Sequence, residues 1–457
     1  MKIHFIAIGG SAMHNLAIAL KAKGYEITGS DDEIFEPSLS RLKNHGLLPQ
    51  HTGWNPDIIT PNLDAIVLGM HARSDNPELI KAKELGIKIY SYPEYLYEQT
   101  KNKTRIVIGG SHGKTTITSM IMHVLKQSGV DFDYMVGAQI DGFDNMVGFS
   151  YDTKYAVFEG DEYLTSPIDP RPKFHVYKPN IAVISGIAWD HINVFPTFEN
   201  YKNQFSIFID CIESNGTLIY CNDDKEVVDV VKSSKRKDIN YIPYTTQEYD
   251  IDSSGNYSLI YEGKTHPLKV FGKHNMQNIG ATKAVCKLLG INEVQFHKAI
   301  GEFKGAAKRL QCLANNPTTK VFLDFAHSPS KVSATLKAVR EAFPDRELVA
   351  CFELHTFSSL TKEFLAQYHG TLDDADRPIV YFNPQTIEHK RLLAISADEV
   401  KVGFGKSSLE VFTNSSDLVA LLKQIDWKNK NLLIMTSGNF SGVNLQELAN
   451  NIIDKDQ

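Results

Sequence analysis

The sequence has no long apolar run, no paired cysteines and no excess of positive charge, and each absence removes a class of protein. No segment of the 457 residues reaches the ~20 consecutive apolar residues that a membrane-spanning helix needs. Met1 and Lys2 lead straight into an apolar stretch broken by Gly9 and Gly10, without the cleavage pattern of a secretory signal, so a cytoplasmic protein without a membrane partner is expected. The five cysteines, Cys211, Cys221, Cys286, Cys312 and Cys351, form no C-x-x-C pair, and no histidines cluster at zinc-ligand spacing. They read as reduced thiols. With 48 Lys and Arg against 54 Asp and Glu, the formal charge is −6, which argues against a chain whose task is to grip nucleic acid. Short repeats and low-complexity segments are also missing.

What is present is a long alternation of strand-like and helix-like segments, an α/β pattern too extended for one hydrophobic core. IHFIAIGG, a helix closed by Gly24, and YEITGSD make one βαβ unit, continued by DAIVLGM and IKIYSYP. This predicts a Rossmann-like N-terminal domain over residues 1–102, with the polar run QTKNKT as its exit. RIVIGG, a glycine loop and the helix TTITSMIMHVLKQSG open a central P-loop ATPase domain over 103–305, joined later by the strands KYAVFEG and NIAVISGI. A Rossmann-like C-terminal domain is expected over 306–457, from the strands KVFLDFAH, RELVACFELH, RPIVYFNP and NLLIMTSG, with helices over SKVSATLKAVREAF and LTKEFLAQYHG.

The chemistry concentrates at strand ends. GGSHGKTT lies between a predicted strand and a predicted helix, the context a phosphate loop requires. Gly110, Ser111, His112 and Gly113 would turn backbone N–H groups toward phosphate oxygens, Lys114 would add a charge, and Thr115 or Thr116 a hydroxyl for Mg²⁺. FEGDEY places Glu159, Asp161 and Glu162 at the next strand end, and NIAVISGI delivers Asp190 and His191 to the same edge, so a metal site could draw on both. In the first domain Gly9, Gly10 and Ser11 form a second glycine turn, with Asp31 at the end of the following strand. The turn lacks the G-x-G-x-x-G spacing of a nicotinamide-cofactor site.

In combination and order, the phosphate loop G-x-x-G-K-T-T, EGDEY, Asp190 with His191, GKHNMQN, GAAKRLQ and DFAHSP resemble the motifs of the Mur ligases. The resemblance spans nearly the whole chain. It implies three domains and an ATP-dependent, ADP-forming ligation of a carboxylate to an amine through an acyl phosphate, in peptidoglycan metabolism, with ATP and Mg²⁺ as cofactors. By motif, Lys114, Glu159 and His191 take the catalytic positions, and Thr115, Glu159 and His191 the metal. His274, Asn275 and Asn278 match the segment that holds adenine, although Asn275 could equally be a helix cap. Arg309, Asp324 and His327 match positions that meet the nucleotide from the C-terminal side. Gly9, Gly10, Ser11, Asp31 and, from HARSDNPE, His71 match the UDP-sugar site, pointing to UDP-N-acetylmuramate. One departure from several Mur ligases is the lack of their carbamoylated lysine, whose place falls near Phe205.

For the amine, EGDEY followed by SPIDPRPKF resembles the branch that takes the recycled tripeptide L-alanyl-γ-D-glutamyl-meso-diaminopimelate, as does Ser359 where the L-alanine branch carries arginine. The tripeptide is therefore the expected amine, with Arg171, Lys173 and His355 to meet its carboxylates, and L-alanine is the alternative. A P-loop regulatory ATPase is the more remote reading.

Overall fold

A computed structural model of the chain describes residues 1–454 other than 71, 167, 168, 191 and 193. The described residues divide into two compact units, one of residues 1–189, 197–245 and 281–299, the other of 190–196, 246–280 and 300–454.

The first unit holds two main sheets, one parallel throughout and one parallel except for its edge strand Val147–Gly148. The N-terminal sheet has four strands in the order Glu26–Ser30, Lys2–Ile6, Ala65–Leu68, Ile89–Ser91, all parallel, with the helix Ser11–Ala22 between the first two in sequence. The second sheet has seven strands, and its central strand is Thr104–Gly109, flanked by Ile181–Ile184 and Tyr155–Glu159. Ile106, Val107 and Ile108 are fully buried, the mark of a strand covered on both faces. The helix Lys114–Gln127 that follows buries Ile117, Met120, Ile121, Val124 and Leu125, a stripe at i, i+3, i+4, i+7 and i+8 that seats it on the sheet. Strand order reverses on either side of the central strand, so the carboxyl ends of three neighbouring parallel strands lie together where such sheets bind ligands.

The second unit is built on a six-stranded sheet in the order Gln311–Asn315, Lys320–Asp324, Lys430–Met435, Glu347–Leu354, Arg377–Phe382, Glu410–Phe412. Its first pair is antiparallel and the rest parallel. A small antiparallel sheet, Tyr249–Ile251, Tyr257–Tyr261 and Lys264–Pro267, precedes it.

One segment differs from expectation. The run LTKEFLAQYHG is not one helix: Thr361 is extended (φ −105°, ψ 138°), so only short turns form over Ser358–Leu360, Lys362–Leu365 and Ala366–Tyr368. These turns seat Tyr368 on Phe404, ring centroids 5.1 Å apart, with its hydroxyl donating to the His327 carbonyl at 2.5 Å. The polar run QTKNKT joins the two sheets of the first unit over a short span. The helix Tyr92–Thr100, closed by a Ser91–Glu94 capping box, runs into it, and a strand resumes at Thr104. Within that strand Arg105, 3% exposed, donates to the carbonyls of Thr100 (3.1 Å), Lys101 (2.9 Å), Lys103 (3.0 Å) and Tyr177 (2.9 Å) and pairs with Glu213 at 3.2 Å.

Removing this guanidinium strands several buried carbonyls at once. Arg105→Ala is expected to lower stability by about 3 kcal/mol, read as a fall in the urea midpoint of the first unfolding transition. A midpoint equal to that of the unmodified protein would show that water replaces the side chain freely.

Candidate active site

The phosphate loop depends on two backbone conformations that side chains resist. Gly110 has φ +138° and Gly113, which precedes the helix Lys114–Gln127, has φ +78°. Gly110 also presses against the chain that follows the strand Ile181–Ile184, where a Cβ would stand 2.1 Å from Ser185 Oγ. That chain latches the loop. Ser111 N donates to Gly186 O at 2.9 Å, Ser185 N to Gly109 O at 3.0 Å, and Ala188 N to Ser111 Oγ at 2.8 Å, while the Ser185 hydroxyl reaches the His112 carbonyl. Ser185 and Gly186 were not among the sequence candidates. Two small residues just beyond a buried strand were the available signal, but it acquires meaning only once that strand is known to lie beside the loop.

The loop's side chains divide the acidic strand end between them. Thr115 Oγ1 donates to Glu159 Oε1 at 2.8 Å, and Gly137 N to Glu159 Oε2 at 2.7 Å. Lys114 Nζ donates to Glu162 Oε2 and to Gly110 O, both at 2.6 Å. Burial opposes the Lys114 charge, but Glu162, Asp161 and Glu159 outweigh it and hold the ammonium pKa above its ordinary value. Thr115 and Glu159 are thus hard oxygen donors in contact, a pair suited to Mg²⁺ that is also held by phosphate oxygens and water. His191 lies outside the described residues, among which no group of three His, Cys, Asp or Glu is placed to hold a metal. Asp190 falls in the second unit, with Lys331 Nζ 3.5 Å from its carboxylate. At the carbamoyl-lysine position, Phe205 is fully buried edge-on to Phe174 and Tyr201.

The N-terminal turn is tied to the end of the following strand. Gly9 N donates to Asp31 Oδ2 at 2.7 Å, so these two candidates for the UDP-sugar satisfy each other, and burial raises the Asp31 pKa. Gly10 and Ser11 begin the helix Ser11–Ala22, whose first-turn N–H groups have no intrahelical acceptor and no side-chain cap. His71 lies outside the described residues.

In the second unit Asn275 is no cap. It sits inside the helix Lys273–Leu288, where its Nδ2 donates back to Phe271 O at 2.8 Å and its Oδ1 accepts from Asn278 at 3.4 Å. Burial lowers the pKa of the neighbouring His274. Asp324 Oδ2 accepts from Leu310 N at 2.5 Å, fixing the segment that carries Arg309, whose guanidinium lies 5.1 Å from the Phe325 ring centre. His327 Nδ1 is 2.9 Å from Phe325 O, and burial, with Lys331, depresses its pKa to about 3, so it is a neutral imidazole.

Two of the amine candidates, Arg171 and Lys173, are engaged by acidic neighbours. Arg171 forks onto Asp169 (2.6 Å) and also reaches Glu94 (3.2 Å), and Lys173 pairs with Asp161 at 2.6 Å, so both charges are already answered by neighbours. His355 belongs to the second unit, its Nδ1 3.7 Å from the Glu353 carboxylate.

Three family matches cover the chain in order: Mur ligase family, catalytic domain, over residues 2–104; Mur ligase middle domain over 108–286; and Mur ligase, glutamate ligase domain, over 308–440. The chain is 31% identical to a UDP-N-acetylmuramate–L-alanine ligase of Caldanaerobacter subterraneus subsp. tengcongensis, over 98% of each chain. Among solved structures it is similar to the UDP-N-acetylmuramate–alanine ligase of Thermotoga maritima (TM-score 0.71, 21% identity, 100% of this chain and 99% of the other). It is also similar to a murein peptide ligase of Psychrobacter arcticus (TM-score 0.66, 22% identity, 99% and 98%). At those identities both structures speak to the fold alone.

The expected tripeptide, and murein recycling with it, is therefore corrected. The end-to-end sequence relative is named for L-alanine, and the likeness to the murein peptide ligase is one of architecture. The stretch that suggested otherwise is short, and its two cations are in ion pairs.

The latch yields a test. Gly110→Ala adds backbone strain of about 1–3 kcal/mol to a collision with Ser185. It should weaken ATP binding by calorimetry on the order of tenfold or more. Gly186→Ala meets only the movable end of the His112 ring and should lose less. Equal affinities in all three proteins would refute the latch.

Proposed function

The chain belongs to the Mur ligase family of ATP-dependent, ADP-forming amide ligases, and from that premise we propose that it joins L-alanine to UDP-N-acetylmuramate. The observation that carries the choice of amine is the 31% identity to an L-alanine ligase over 98% of both chains. The paired state of Arg171 and Lys173 supports it, since a multiply charged peptide needs cations that are not already satisfied.

A carboxylate repels an amine and has no leaving group, so it must first be activated. In the proposed reaction a carboxylate oxygen of the sugar attacks the γ-phosphorus of ATP, the bond to ADP breaks, and an acyl phosphate forms. The uncharged amine of L-alanine then attacks the acyl carbon, loses a proton, and expels phosphate. The protein aligns the reactants and neutralises charge. Lys114 meets the phosphoryl oxygens. Mg²⁺, when bound, spreads the phosphate charge, and Thr115 and Glu159 would hold it, with His191 as the further expected donor. His274, Asn275 and Asn278 would hold adenine, Arg309, Asp324 and His327 the phosphates and ribose, and Gly10 and Ser11 the sugar diphosphate. His355 remains the candidate for the amine's carboxylate. ATP and a UDP-sugar as substrates fit a reaction in the cytoplasm; no described helix is long and apolar enough to cross a membrane.

Phosphate release with ATP, UDP-N-acetylmuramate and each amine in turn tests the proposal. Release should require the UDP-sugar and L-alanine together, and kcat/KM should favour L-alanine over the tripeptide. A preference for the tripeptide, or release without any amine, would reject it. Glu159→Ala should raise the Mg²⁺ concentration for half-maximal rate several-fold, and an unchanged metal titration would remove Glu159 from the metal site.

A further inference from the structure

We propose that Glu162 is a positioning residue for Lys114, holding the ammonium beside the Gly110 carbonyl both before ATP arrives and while phosphate is bound. The proposal deepens the function just described, since it rests on Lys114 meeting phosphoryl oxygens.

Four observations lead to it. Glu162 Oε2 and Gly110 O lie 2.6 Å from Lys114 Nζ, so the ammonium is fixed by two acceptors from different segments. The Glu162 side chain is 1% exposed and that of Lys114 13%, so neither charge has bulk water as an alternative partner. The other Glu162 oxygen accepts from the Tyr201 hydroxyl at 3.1 Å. Tyr201 is fully buried, edge-on to Phe205 at 5.4 Å, so the carboxylate is anchored at its far side as well. Finally, Glu159, three residues earlier, is turned to Thr115 and Gly137, which gives these two glutamates of the strand end separate tasks.

An ammonium has three N–H donors. Glu162 and Gly110 take two, and the third is enough for a phosphate oxygen. Lys114 can therefore meet ATP without leaving Glu162, and its direction is set in advance. The arrangement has an energetic consequence: a carboxylate this close to the phosphates opposes their charge, so ATP binds less tightly than the lysine alone would allow, in return for orientation in the transition state.

Glu162→Gln keeps the shape and removes the charge. It should bind ATP by calorimetry as tightly as the unmodified protein or several-fold more tightly. Its kcat should fall by about 10- to 100-fold, the scale of a small misplacement at the reacting centre. A destabilised site would instead lose affinity and rate together. Tyr201→Phe, which removes only the outer anchor, should lower kcat several-fold at unchanged ATP affinity, and it decides the matter should the glutamine variant not fold. A kcat within about twofold of the unmodified protein in a folded Glu162→Gln, or ATP binding weakened in step with kcat, overturns the proposal; so does an unaltered kcat in Tyr201→Phe when that variant decides. Turnover is compared with whichever amine the unmodified protein uses, so an error over L-alanine leaves the test standing. Calorimetry needs no amine at all: if the unmodified protein never turns over, the functional reading falls, and ATP binding weakened by Glu162→Gln would still overturn the role given to Glu162.

Discussion

The approach of Gly110 to Ser185 is the constraint from which the rest of the first unit's site follows. Backbone meets backbone there because Gly110 has no side chain, and this lets the end of the strand Ile181–Ile184 clamp the phosphate loop through Ser111 and Gly186. With the loop fixed, the next helix starts at Lys114 in a set direction, and Thr115 and Lys114 fall opposite Glu159 and Glu162. A wider separation of those two strand ends would leave the same side chains with no common place to meet. The site is a property of sheet order as much as of motif.

That distinction explains which parts were legible. The phosphate loop could be read because eight contiguous residues contain its glycines, its lysine and its hydroxyls, and their conformations are local. The parallel strands could be read because burial on both faces leaves unbroken apolar runs such as Ile106 to Ile108. The clamp could not, since Ser185 and Gly186 are ordinary residues until the sheet places them 73 to 76 positions back along the chain, against the loop. Nor could the division of labour at EGDEY, which three acids in five residues leave undetermined. The broken helix after Leu360 failed for a related reason, since a helical pattern was overridden by the seating of Tyr368 under His327.

The choice of amine illustrates a different failure. Charged residues on a proline-bearing stretch suggested a site for carboxylates, yet Arg171 has Asp169 two residues away, a partner visible in the sequence itself. A cation counts toward recognition only after its own neighbours are subtracted.

Arg105 gives the passage between the first two sheets its mechanical character. Its guanidinium gathers carbonyls from Thr100 at the end of one helix, from Lys101 and Lys103 after it, and from Tyr177 and Lys178 just ahead of the neighbouring strand Ile181–Ile184. A chain crossing held in this way has little backbone left free to pivot without breaking those hydrogen bonds. Severing it at residues 101–103 to produce two separate fragments would break the guanidinium's ring of acceptors, so the N-terminal sheet and the phosphate-loop sheet are best regarded as one inheritable and manipulable piece.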